Sequence, residues 1–137
     1  IQFHSQNKYL FMSLSPSLLK QLGKIVANHN HLKIEDLLQQ YRAIMLRLLG
    51  VEPRPMRVIN VMLHLLGYFS DDLTADEKAF FLDQLERYQN KRVPQSAVMS
   101  ILESWTVRFN QSYLKGQTIF RPLPERLVQV TDSGKGL

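Results

Sequence analysis

From Ile34 to Leu49, the residues Ile34, Leu37, Leu38, Tyr41, Ile44, Met45, Leu48 and Leu49 recur at the intervals of a helix face. Only a turn of about 3.6 residues puts such positions on one side, so a four-turn amphipathic helix is predicted here. The same periodicity returns along almost the whole chain, and the alternation of a half-buried strand is missing. The expectation is an all-α fold, a single compact helical domain of six or seven helices. With 137 residues the chain has the length of one domain. That suffices to bury roughly two-thirds of the surface exposed when unfolded. No internal repeat or low-complexity segment is present.

Local signals divide the chain. Phe3, Leu10, Phe11 and Leu14 predict a first helix over about residues 2–13. Ser15-Pro16 reads as a helix cap followed by a first-turn proline. It starts a second helix that buries Leu18, Leu19, Leu22, Ile25 and Val26, and the polar run Asn28-His29-Asn30-His31 ends it. Gly50 stops the third helix, and Pro53 and Pro55 stiffen the connector. A fourth runs from about Met56 to Ser70. Thr74 and Glu77 form a capping box, with Asp76 favourable at that helix start. The fifth helix, about 75–89, buries Phe81, Leu82, Leu85 and Tyr88. Pro94 opens the sixth, with Val98, Ile101, Leu102, Trp105 and Phe109 inward, and a shorter helix is expected near 111–120. Beyond Pro122 and Pro124 the pattern fades. The domain is expected to span 1–130, with 131–137 a flexible tail.

The fourth helix carries the strongest functional hint. Arg57, Asn60, His64, Gly67 and Asp71 step by three, four, three and four residues and share one face, while Val58, Val61, Met62, Leu65 and Phe69 share another. Asn and Gly lower helix propensity, and a polar group near a core costs free energy unless hydrogen-bonded. The stripe is therefore either a satisfied structural network or a place where something binds. His64 can donate to a phosphate or a base edge, or carry a proton near neutral pH; equally, it can bond a backbone carbonyl beside Asn60. His4 and Lys8 form a second small polar face on the first helix. If that helix crosses the striped one, His4, Lys8, Arg57, Asn60 and His64 converge on one ligand site, with Tyr68 as a stacking platform. Arg54, Arg57, Arg87, Lys91 and Arg92 form a candidate phosphate-binding surface around Tyr88 and Tyr68. The plainer alternative buries both tyrosine rings with their hydroxyls at the rim.

Other classes are excluded or weak. The absence of cysteine rules out disulfides, thiolate zinc sites, a cysteine nucleophile and an iron–sulfur cluster held by this chain's own thiolates. There is no Gly-rich phosphate loop and no nucleophile elbow, so no catalytic residue, metal site or cofactor is assigned. Asp71-Asp72 and Asp76-Glu77 read as helix caps rather than ion ligands, and His29 and His31 form a poor metal pair. The net charge of +5 is uneven. Lys8, Lys20, Lys24 and Lys33 face no acid within residues 1–34, whereas 71–86 is strongly acidic. A basic balance favours a polyanionic partner, or is simply a solvated surface. No apolar run reaches the roughly 20 residues of a membrane span, and no signal-peptide pattern opens the chain. A cytoplasmic domain without membrane contact is expected. The opening Ile1 is compatible with a processed or excised piece of something longer. Composition and spacing name no activity.

A resemblance does. Phe3-His4, Lys8-Tyr9-Leu10, Met12 and Ser15-Pro16 resemble the opening of the YbgA-like family of bacterial domains of unknown function. The likeness continues through Leu22-Gly23-Lys24, Asn60-Val61, His64, Gly67-Tyr68-Phe69, Leu73, Glu77-Lys78 and Tyr88. It ends with Tyr113-Leu114, Gln117 and the Pro122/Pro124 region. Such domains occur alone or joined to an iron–sulfur desulfidase domain that removes sulfur from thiolated uracil, including thiouridine in transfer RNA. The resemblance implies an accessory domain that binds RNA or a nucleotide beside a desulfidase partner. The family pattern has further basic or His residues where this chain has Leu14, Val58, Ser70 and Gln89, which implies fewer polar contacts to RNA. Two rival readings stand beside this one: a protein-interaction module with a purely structural polar stripe, and a small-nucleotide enzyme using His64.

Overall fold

Seven α-helices and a short 3-10 turn make up the computed structural model, which describes residues 1–121; no strand forms among them. The helices are α1 (Gln2–Gln6), α2 (Lys8–Leu14), α3 (Pro16–Ala27), α4 (Ile34–Leu49), α5 (Pro55–Gly67), α6 (Ala75–Gln89) and α7 (Gln95–Arg108). The all-α expectation holds. The Pro122/Pro124 region, the boundary at 130 and the tail 131–137 lie outside the described residues.

The predicted caps explain most boundaries. The Leu18 amide donates to Ser15 Oγ at 3.2 Å, with Pro16 at the first helical position. Asn28 ends α3 in the left-handed region, at φ 49°, and its Oδ1 accepts from the Leu32 amide at 2.8 Å. Asn pays less than most residues for that conformation because its short amide bonds locally. Both arms of the Thr74/Glu77 capping box are present. The Thr74 amide on the Glu77 carboxylate, with Arg108 nearby, holds that carboxyl below its ordinary range.

Three expectations need correction. The first helix breaks at Asn7, where the Gln117 amide donates to the Ser5 carbonyl at 2.7 Å and Thr118 Oγ1 to Asn7 Oδ1 at 2.6 Å. These distant side chains take up polar groups beside the break, which local spacing does not reveal. Phe3, on the short α1, is half exposed. Gly50 stops α4 as expected, at φ −86°. Leu82 lies outside the core, because Phe81 and Leu85 already fill the space beneath α6. In place of a helix near 111–120 there are turns and the 3-10 segment Thr118–Phe120.

The apolar side chains form two clusters. The larger joins Tyr9 to Val58, Ile59, Val61, Met62 and Leu65 of α5, and to Phe69, Phe81, Leu102 and Trp105. The smaller joins Phe11 to Leu18, Leu19 and Leu22 of α3 and Leu48 of α4. Helix α2 therefore sits between them, giving Tyr9 to one and Phe11 to the other, with Met12 packed against both. This makes α2 the partner along which the polar face of α5 lies.

Candidate functional site

Helices α2 and α5 run in opposite directions against each other, and two contacts mark the ends of their seam. At one end Arg57 Nη1 donates to the Leu14 carbonyl at 2.6 Å. Leu14 is the last residue of α2, so Arg57 satisfies a carbonyl that the helix leaves without a partner and sets positive charge at its negative end. At the other end the Tyr9 and Tyr68 hydroxyls share a hydrogen bond of 2.6 Å.

Between these ends lies an open groove of about 440 Å³. Met12, Pro16 and Leu19 line one wall; Arg57, Asn60, Leu63 and His64 line the other. Asn60 and His64 are exposed and have no hydrogen-bond partner among the described residues. The stripe is therefore not a satisfied network: Arg57 alone of the three is tied down. Among the described residues, no carboxylate lines the groove. Its polar side chains can donate to an anion or a base edge and offer it no negative charge to repel.

Gly67 carries the stripe onward and faces open space, with nothing within 4 Å of where a Cβ would stand. No crossing helix requires its small size. Along α5, Arg57, His64 and Tyr68 are separated by seven and then four residues, which is one line of the helix surface. The line is about 16 Å long at 1.5 Å per residue.

The far end of the line is aromatic. Tyr68 and Tyr113 rings lie nearly parallel, 14° apart with centroids separated by 6.4 Å, and both are partly exposed. Tyr9 stands edge-on to each of them and is buried. Burial, followed by the bond to Tyr68, pushes its phenol well above the ordinary range, so it stays a neutral anchor. Lys8 Nζ sits over the Tyr9 ring, 5.5 Å from its centre. Tyr113, remote from Tyr68 in sequence, is the contributor that spacing could not reveal. Its only earlier signal was the Tyr113-Leu114 pair within the family likeness.

The structure therefore ranges Lys8, Arg57, Asn60, His64 and Tyr68 along one seam. It does not bring His4 to them. His4 lies beyond the break at Asn7, and its Nδ1 shares a hydrogen bond of 3.1 Å with the Tyr41 hydroxyl of α4. It lines a different and largely apolar groove with Phe3, Ile25, Val26 and Leu38. Burial, then nearby positive charge including Lys8, lowers its pKa from the ordinary histidine value. Convergence of both imidazoles on one hollow is corrected: none of the described residues lines both grooves.

Gln89 Nε2 lies 3.8 Å from Met56 Sδ, so the end of α6 meets the start of α5. Arg54, just before α5, stands two residues from that contact in sequence, as do Arg87 and Lys91. Arg87 is paired with Asp83 at 2.9 Å; Arg54, Lys91 and Arg92 make no ion pair among the described residues. Tyr88 packs against the larger core, so the plainer reading holds for it. Tyr68 is at the opposite end of α5, about 20 Å away along a helix of 13 residues. Among the described residues, no group of three or more His, Cys, Asp or Glu is placed to hold a metal ion. No helix there is long and apolar enough to cross a membrane.

Comparison with known proteins agrees with the family likeness. A family described as "Protein of unknown function (DUF1722)" matches residues 8–124. The uncharacterized protein YbgA of Escherichia coli (strain K12) is 26% identical over 135 residues, which covers 98% of this chain and 79% of that protein. No solved structure matches. Over a match of that extent, with the α2–α5 seam inside it, the chain belongs to the DUF1722 family and is a YbgA-like domain of unknown function.

Proposed function

We propose that this domain binds RNA, or a nucleotide within it, along the α2–α5 seam and leaves the chemistry to a partner protein. The family resemblance favours an iron–sulfur desulfidase acting on thiolated uracil in the cytoplasm as that partner. The observation that carries the reading is the exposed pair Asn60 and His64, unbonded among the described residues and set beside Arg57 on a groove that no described carboxylate lines. Two features support it. Arg54, Lys91 and Arg92 supply charge for phosphates near one end of α5, and Tyr68 with Tyr113 offers ring faces to an unpaired base at the other. The intervening line accommodates a short single strand better than a duplex, whose bases are already stacked.

Binding fits better than catalysis by His64. A general acid or base is normally oriented by a second group, and among the described residues His64 has none. A pH–rate profile lost in His64→Ala would restore the enzyme reading.

Filter binding of transfer RNA across a salt series tests the proposal. Affinity should fall steeply as salt rises, with a logarithmic slope near −0.7 for each single-strand phosphate neutralised, taken as an order-of-magnitude value. Asn60→Ala and His64→Ala should weaken uptake without lowering the melting temperature. Salt-insensitive or absent uptake would sink the proposal. A lowered melting temperature with unchanged uptake would favour the protein-interaction module.

A further inference from the structure

Where α5 ends, one buried tyrosine supports two open ones. Tyr9 is 4% exposed, whereas Tyr68 and Tyr113 are 38% and 41% exposed. The Tyr9 ring stands edge-on to both, at 85° and 88°, with centroids 6.3 Å and 6.4 Å away. It is the post against which the two nearly parallel rings rest.

The hydroxyls order the group further. Tyr9 Oη and Tyr68 Oη lie 2.6 Å apart, and neither has another partner among the described residues. One of the two donates. With Tyr68 as donor, the Tyr9 proton would be held away from water with no acceptor, which is the costlier arrangement. With Tyr9 as donor, the proton left over belongs to Tyr68, on the side open to solvent. Burial also keeps the Tyr9 phenol neutral, so it retains the proton it donates. A hydroxyl that accepts one hydrogen bond becomes a better donor for the next.

Resting on the RNA-binding reading above, we propose that the three tyrosines form a subsite for one base, in which Tyr113 stacks, Tyr68 donates a hydrogen bond to the base edge, and Tyr9 is the positioning residue that orients the Tyr68 hydroxyl. The ligand it selects is a flat ring with an acceptor, such as a carbonyl oxygen, on its edge. Conjugation keeps a phenol O–H close to its own ring plane, so the accepting base lies edge-to-edge with Tyr68. The Tyr68 and Tyr113 planes differ by 14°, so that base is also parallel to Tyr113 and stacks on its face. Lys8 Nζ, 5.5 Å from the Tyr9 ring centre and in no ion pair among the described residues, supplies charge for the phosphate of the same nucleotide.

Three single strands of equal length and phosphate charge test this by fluorescence anisotropy with the full chain. They are hexauridylate, whose bases stack little on one another, a strand carrying phenyl rings in place of the bases, and an abasic strand. The first two should bind about tenfold more tightly than the abasic strand, and Tyr113→Leu should remove most of that gain. The variant Tyr9→Phe/Tyr68→Phe keeps all three rings and orphans no hydroxyl, so its melting temperature should hold. In it, the ratio of hexauridylate to phenyl-strand affinity should fall about fivefold, as expected for one lost hydrogen bond. Tyr9→Phe alone should give part of that fall. An unchanged ratio in the double variant overturns the donor role. Equal binding of all three strands overturns the subsite and leaves phosphate binding standing, whereas binding of none removes both.

Discussion

Helices α4 and α5 look alike as sequence, each with an apolar stripe at helical spacing, yet the fold treats them differently. In α5, Val58, Val61, Met62 and Leu65 are all buried, while in α4 Leu48 alone is, and Ile34, Leu38, Leu46 and Leu49 face outward. Position accounts for this. Helix α5 is surrounded by α2, α6 and α7, whereas α4 lies mainly against α3 at the margin. A stripe reports that a helix has a face to cover; the number of neighbours decides whether the same chain covers it. The polar faces differ in the same sense. The α5 stripe borders an open groove, and the polar contact at α4 is the closed His4–Tyr41 pair.

The largest test of this contrast is truncation on each stripe. Leu65→Ala should cost about 2–5 kcal/mol in urea denaturation, because it empties a fully buried site. Leu38→Ala should change stability by under about 0.5 kcal/mol. Equal losses would mean that the α4 edge is buried after all.

Next in size is Arg57→Met, which removes the hydrogen bond to the Leu14 carbonyl and leaves the end of α2 without its cation. A loss of about 1 kcal/mol is expected, since Arg57 is partly open to solvent. Preserved stability would show that the groove end of α5 bears no structural load.

Gly67→Ala should go the other way. The site is helical and its surroundings are empty, so the substitution should stabilise by up to about 1 kcal/mol in the same assay. Combined with loss of RNA uptake, that gain would make Gly67 a functional choice.

The smallest effect concerns His4, and its sign follows from linkage. Its folded pKa lies below the unfolded value of 6.5, so in the window just beneath that value the unfolded chain binds more protons. Stability should therefore fall as pH drops from 6.5 toward the lowered value. In His4→Gln that part of the pH dependence should vanish from melting curves. An unchanged slope would mean that the imidazole is not withdrawn from solvent as its packing implies.

Much of the fold was legible because its signals are local. Ser15-Pro16, Asn28 and the Thr74/Glu77 box mark boundaries through bonds to residues a few positions away. The break at Asn7 was not, since Gln117 and Thr118, which bond to it and its neighbours, come from the other end of the described chain. The site divides likewise. Arg57, Asn60 and His64 share a face by helical pitch alone. Their separation from His4, and the arrival of Tyr113 beside Tyr68, depend on which helices pack together.

By itself the sequence determined the helical class, most helix ends and which side of each helix is apolar, because pitch and capping act over a turn or two. The tertiary structure alone decided which apolar faces found partners and that His4 and His64 line separate grooves. It also decided that Lys8 and three tyrosines meet at the end of α5. The physical reason is that burial is settled by competition among distant segments for a limited interior, and no local pattern carries its outcome.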